Sequence, residues 1–174
     1  AGVMAVARIV DAVTDPVMGM IAERTRSRFG RLRPWLILGA LPLGVITILT
    51  FTVPDLDANG KLWWAYTTYL LFGILYTVVT IPYSVLTASI TSDYAARTKL
   101  STWRMACAFT GGLTVSVGTK PFVGLFADPA DGFQALMAVF AVIATGLLVT
   151  TFATTEERVT PAPEQHLTLK HSMQ

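Results

Sequence analysis

A chain of 174 residues in which 53% are hydrophobic and only 14% charged is too poor in charge for an ordinary water-soluble domain, where about 25% are charged. The mean hydropathy of +0.57 agrees, and points to a chain whose solvent is largely lipid. The net charge of +2 says little about partners, and the single cysteine, Cys107, excludes an intrachain disulfide and reads as a small packing residue in an apolar helix.

Crossing the hydrocarbon core takes roughly 20 mostly apolar residues. Five segments meet that length. The first, about 1–22, begins inside an apolar run with no initiator Met and no signal-peptide layout, so the chain is expected to be a fragment lacking at least one upstream segment. This segment holds Arg8, Asp11 and Asp15, with Pro16 directly after the second acid. The second, about 34–53, and the third, about 62–90, carry no charge, and the third contains Pro82. The fourth, about 102–126, has Arg104 near one end, Lys120 toward the other, and Gly111, Gly112 and Gly118 suited to close helix packing. The fifth is about 133–153, and residues 154–174 form a polar, Pro-containing linker. The predicted fold is all-α: one polytopic transmembrane bundle over residues 1–153, followed by a tail.

The links set an orientation. Arg24, Arg26, Arg28, Arg31 and Arg33 occupy one link, and Arg97, Lys99 and Arg104 lie in or beside another on the same side. Only Lys61 and Lys120 lie toward the opposite, acid-rich links. Cytoplasmic loops concentrate Lys and Arg, so the Arg-rich links and the tail are expected inside the cell membrane. Trp63, Trp64 and Tyr66 then fit an outer aromatic belt. Membrane segments on both sides of the five-arginine link argue against a nucleic-acid partner.

At 100° per residue Asp11 lies about 60° from Arg8, and Asp15 about 40° from Asp11, so the three share one narrow face. Each charge at a bilayer centre costs about 2.5–3.5 kcal/mol, while Leu, Ile or Val returns only about 0.3–0.6. The stripe must therefore face other helices or water. Pro16 has no N–H to offer the carbonyl of Ala12, which is left free beside the carboxylates. Carboxylates and carbonyls are hard oxygen ligands that suit a hard cation, and the same pair is suited to sharing a proton. A structural Arg8–Asp11 ion pair is the competing reading, and it leaves Asp15 unneutralised. On the third segment Thr77, Thr80 and Ser84 add hydroxyls at i, i+3 and i+7 around Pro82, although hydroxyls on membrane helices often bond only their own backbone.

The string RIVDAVTDPVMGMIAERTRSRFGRLRPW, read as DAxxDPxxG followed by TxSxxGxxRPW, resembles the glycoside–pentoside–hexuronide:cation symporters of the major facilitator superfamily. The later string YTVVTIPYSVLTASITSDYAARTKLSTWRM resembles the same melibiose-carrier-like family in its pattern YTxxxIPY followed by a run ending in D and R. The resemblance implies that the five segments are helices two to six of a twelve-helix transporter, with the remainder of that transporter outside this chain. It implies a cation site at Asp11, Asp15, Thr14 and Thr77, where the two carboxylates hold a transported Na⁺ as the only metal. It implies a substrate site using Arg8, Thr80, Ser84 and Arg104, and a cytoplasmic gate motif of Gly19, Arg24, Gly30, Arg31 and Arg33. Thr14, Thr80 and Ser84 depart from the asparagine, aspartate and tryptophan of melibiose-type members, so galactoside recognition of that type does not follow.

The expected activity is symport of a sugar or glycoside with a coupling cation, Na⁺, Li⁺ or H⁺, by alternating access, with the lipid bilayer as the remaining partner and no further cofactor. The alternatives are transport of a lysolipid or another amphiphile, and a non-transporting membrane scaffold. An enzyme is not expected, because His166 and His171 both fall in the tail and no nucleophile–base constellation appears.

Overall fold

The computed structural model describes residues 2–157. Five α-helices follow one another: α1 Gly2–Arg24, α2 Arg33–Thr50, α3 Ala58–Ser89, α4 Tyr94–Val123 and α5 Pro129–Thr154. The order and number match the five predicted segments. The boundaries shift for local reasons. Asp57, Asp93 and Asp128 are the N-caps of α3, α4 and α5, their carboxylates accepting the N–H groups of Gly60, of Ala95 and Ala96, and of Ala130. Each cap satisfies donors that the first helical turn leaves open. The cap at Asp93 starts α4 eight residues ahead of the apolar segment, because a helix continues through the polar AARTKLS stretch once its first turn is closed. Arg97 then folds back, its guanidinium donating to the carbonyls of Ala88 (2.8 Å) and Thr91 (2.7 Å) where α3 ends.

α2 ends at Thr50, short of the expected 53, as the chain turns toward Pro54. The end of the helix is met from α3: the Trp64 indole donates to Leu49 O at 3.3 Å and, just past the helix, to Thr52 O at 3.1 Å. Trp64 is thus partly occupied as a cap, while Trp63 stays exposed beside it.

α2 is the centre of the packing, lying against α3 on one side and α5 on the other, and α1 lies on α3. Two glycines allow the close approaches. A Cβ on Gly39 would sit 2.4 Å from Val79 Cγ2, and one on Gly44 would sit 2.8 Å from Thr145 Oγ1. The core is small: Met18 and Ala22 of α1, Leu32 and Leu36 at the start of α2, Val79 and Leu86 of α3. Outward faces remain apolar, with Met4, Ile9, Leu38, Leu41, Phe109, Leu113, Val142 and Leu147 all exposed. In water that surface is untenable, and in lipid it is the expected exterior. By length and composition α2, α3 and α5 are apolar enough to cross a membrane. α1 falls short because of Arg8, Asp11 and Asp15, and α4 is polar in its first turns and contains no buried residue.

The link between α1 and α2 is fastened to the end of α5. Gly30 takes φ +103°, a left-handed conformation that a side chain would disfavour. The turn presents the N–H groups of Arg31, Leu32 and Arg33 to the Glu157 carboxylate at 3.0, 2.7 and 3.1 Å. Arg33 also donates to the carbonyl of Phe152, with its guanidinium over the Phe152 ring. The first residues of the predicted linker are therefore held against the bundle as far as Glu157, and residues 158–174 lie outside the described residues.

Candidate cation site and adjoining cavity

α1 and α3 run side by side in the same direction, so matching turns face each other. Asp15 Oδ1 accepts the hydroxyl proton of Thr77 at 2.8 Å. One turn earlier on both helices, Asp11 faces Gly73, where a Cβ would lie 3.6 Å from Asp11 Oδ1. Residues at i and i+4 share a helix face, so Asp11 and Asp15 on α1 oppose Gly73 and Thr77 on α3 as two rungs of a ladder. The missing side chain at Gly73 leaves the first rung open to a carboxylate. Thr77 is buried, Asp11 is half-buried, and Asp15 remains exposed on the open side of the pair.

The other expected cation-site residue behaves differently. The Thr14 hydroxyl donates to the carbonyl of Val10 at 3.0 Å, on its own helix, which fixes its rotamer. Arg8 is exposed, and among the described residues no ion pair joins it to Asp11. Asp15 and Thr77 are thus in direct contact, Asp11 lies one turn away on the same face of α1, and among the described residues no ion pair joins either carboxylate to a basic side chain. Among the described residues no group of three or more His, Cys, Asp or Glu is placed to hold a metal.

Thr77, Thr80, Ser84 and Thr87 continue down one stripe of α3. The rise of 1.5 Å per residue sets Ser84 about 10 Å and Thr87 about 15 Å from Thr77 along the axis. At the far end of the stripe stands Arg104 of α4, whose guanidinium donates to Thr87 Oγ1 at 3.3 Å and reaches Ser84 Oγ at 3.5 Å. The same guanidinium lies 4.8 Å from the centre of the Tyr83 ring. Arg104, Tyr83, Thr87, Trp103 and Cys107 line a cavity of about 520 Å³ between α3, α4 and the end of α5. Cys107 is exposed there, so its expected role as a packed residue does not hold. α4 is too thinly packed to bury it.

Arg104 and Ser84 therefore come together, Thr80 sits half-buried between them and the acidic pair, and Arg8 is drawn into neither cluster. Of the expected gate residues, Gly30, Arg31 and Arg33 converge on Glu157 and Phe152, Arg24 is exposed, and a Cβ on Gly19 would meet nothing within 4 Å. Four participants were not anticipated, and Tyr83, whose ring faces Arg104, left no periodic signal. Thr87 extends the i, i+3, i+7 hydroxyl series by one more step, and Gly73 lies one turn before Thr77, so both left a signal in the spacing. Glu157 left none, because its partners are backbone groups 124–126 residues away.

A family model described as MFS/sugar transport protein matches residues 1–173. The chain is 46% identical over 160 residues to the inner membrane symporter YicJ of Escherichia coli (strain K12), covering 91% of this chain and 35% of that protein. It is 41% identical to the putative glycoside/cation symporter YagG of the same organism, covering 89% and 34%. It is 37% identical to the isoprimeverose transporter of Lactiplantibacillus pentosus, covering 88% and 33%. The chain spans about a third of the length of these relatives. A multi-pass helical bundle with an acidic pair on one helix, matched over nearly its whole length, places this chain in the MFS/sugar transport family, among the glycoside–pentoside–hexuronide:cation symporters of the major facilitator superfamily.

Proposed function

We propose that the protein carries out cation-coupled symport of a sugar or glycoside, and that Asp11, Asp15 and Thr77 hold the coupling ion. The observation that carries this reading is the α1–α3 ladder: Asp15 bonded to Thr77 at 2.8 Å and Asp11 opposite Gly73, with no ion pair to either acid among the described residues. A permanent salt bridge would neutralise the acids once and for all. A passenger cation neutralises them only when bound, which is the differential interaction that coupling requires. Na⁺, Li⁺ or H⁺ each satisfies the oxygen donor set. The solute occupies the cavity lined by Arg104, reached along the hydroxyl stripe through Thr80 and Ser84. Occupancy of both sites permits the halves of the full transporter to rock and expose the site to the other side. The Arg-rich ends of the helices face the cytoplasm.

The relatives named for isoprimeverose and for glycoside/cation symport support a sugar as the solute. The test is uptake of radiolabelled isoprimeverose into proteoliposomes holding the full-length protein, under a Na⁺ or a proton gradient. Gradient-driven accumulation is expected, with a loss of at least about tenfold in Asp11→Asn and Asp15→Asn. Unchanged accumulation in both variants defeats the cation-site assignment. Uptake of lysophosphatidylcholine in place of any sugar reassigns the solute to the amphiphile class.

A further inference from the structure

Among the described residues Arg104 is the one charged side chain lining the cavity between α3, α4 and α5. It belongs to α4, which has no buried residue and meets α3 over a short stretch only. A long side chain on a thinly packed helix has many rotamers open to it, and binding that must first select one of them is weakened. The neighbouring turn of α3 removes that freedom. Thr87 accepts one guanidinium nitrogen at 3.3 Å, Ser84 lies 3.5 Å from the other, and the face of Tyr83 lies beneath the guanidinium carbon at 4.8 Å. A hydroxyl acceptor and a ring face both suit a guanidinium, which offers donors in its plane and positive charge above it. Neither neutralises the charge, so the cation is oriented yet still available to a ligand.

We infer that Tyr83 and Thr87 are positioning residues that hold the Arg104 guanidinium preorganised at the cavity, and that they act on solute affinity through Arg104. The inference rests on the proposed solute site and names two residues that the family resemblance does not assign. It distinguishes the ring from the hydroxyl. Tyr83 works by its face, so Tyr83→Phe keeps its contribution and Tyr83→Leu removes it. Thr87 works by its oxygen, so Thr87→Ser keeps it and Thr87→Val, of the same shape, removes it.

In isoprimeverose uptake by the full-length protein, Thr87→Val and Tyr83→Leu are each expected to raise KM by about threefold to tenfold with Vmax changed less than twofold. Thr87→Ser and Tyr83→Phe should restore most of the affinity. In an Arg104→Gln background both losses should vanish, because residues that act through a third are not additive with its removal. Additive losses, or a wild-type KM in Thr87→Val and Tyr83→Leu, overturn the inference.

A second measurement decides it even if isoprimeverose is not a solute. Cys107 lines the same cavity, one turn along α4 from Arg104. With cysteines outside residues 1–174 replaced by serine, the Cys107 thiol is alkylated by an anionic or an uncharged methanethiosulfonate. A guanidinium fixed at the cavity raises the local concentration of the anionic reagent. The ratio of anionic to uncharged rates should fall in the Thr87→Val, Tyr83→Leu double variant toward its value in Arg104→Gln. An unchanged ratio overturns the inference, whereas absent sugar uptake with a falling ratio overturns only the choice of solute.

Discussion

The carboxylate of Glu157 accepts the N–H of Leu32 at 2.7 Å, and so closes a helix whose own N-cap residue offers no side chain. The first turn of any α-helix leaves donors open, and a buried turn must find acceptors for them. Leu32 is fully buried, so water is a poor substitute here. The acceptor comes instead from beyond α5, which ties the end of the described chain to the start of α2. Glu157→Ala in the full-length protein is expected to cost about 1–2 kcal/mol, in the range of N-cap losses, and Glu157→Gln less because one acceptor oxygen remains. Thermal unfolding in detergent, followed by circular dichroism, should show a drop of a few degrees for Ala and a smaller one for Gln. Equal melting curves for wild type and Glu157→Ala would remove the cap from the account.

Gly30 makes that cap possible. Its φ of +103° costs a side chain energy on conformational grounds, and its Cβ would also fall 2.5 Å from Glu157 Oε1. Gly30→Ala is therefore expected to destabilise by at least about 1 kcal/mol. Part of the loss should already be present in Glu157→Ala, so the double variant should be less destabilised than the two single losses together. Full additivity in the same melting experiment would show that the strain alone matters.

The bond from Thr77 to Asp15 separates a charge from its orientation. Thr77→Val keeps shape and removes the donor, leaving the carboxylate free to turn. The cation concentration for half-maximal uptake is expected to rise by about threefold to tenfold, as Asp15 is exposed and one hydrogen bond there is worth about 0.5–1.5 kcal/mol net of water. Thr77→Ser should stay near wild type. A cation dependence identical in Thr77→Val and wild type would place the ion away from this threonine.

The sequence made five helices and the charged face of α1 legible because both follow from local periodicity: apolar runs of spanning length, and charges at i, i+3 and i+7. It gave the hydroxyls of α3 for the same reason. The three aspartate caps leave a signal too, but in a polar link an Asp does not by itself mark a helix start, so the apolar run places the start of α4 at 102 instead of Tyr94. The pairings were not legible in the spacing. The family resemblance already grouped Thr77 with Asp15 and Ser84 with Arg104, but that Arg104 meets Thr87 depends on which helices are neighbours and in what register, and a single chain carries no periodic mark of that. Glu157 is the extreme case, since its partners are main-chain groups that every sequence has. Thr14 shows the converse: its position on the charged face was clear, yet a hydroxyl on a helix can turn to its own carbonyl, and this one does.

Gly73 gives the α1–α3 pairing a steric test independent of charge. The position of its Cβ, 3.6 Å from Asp11 Oδ1, is ordinary contact distance, so Gly73→Ala fits without displacement. A larger side chain has to push the Asp11 carboxylate out of the space facing α3. Gly73→Ala is therefore expected to transport with a cation affinity within about twofold of wild type, and Gly73→Leu to lose cation-driven uptake by tenfold or more. The loss should appear as reduced cation affinity in a protein that still reaches the membrane, checked by surface labelling and by the Na⁺ dependence of uptake. If Gly73→Leu retains wild-type cation dependence, Asp11 does not use that space, and the two-rung arrangement reduces to the single contact between Asp15 and Thr77.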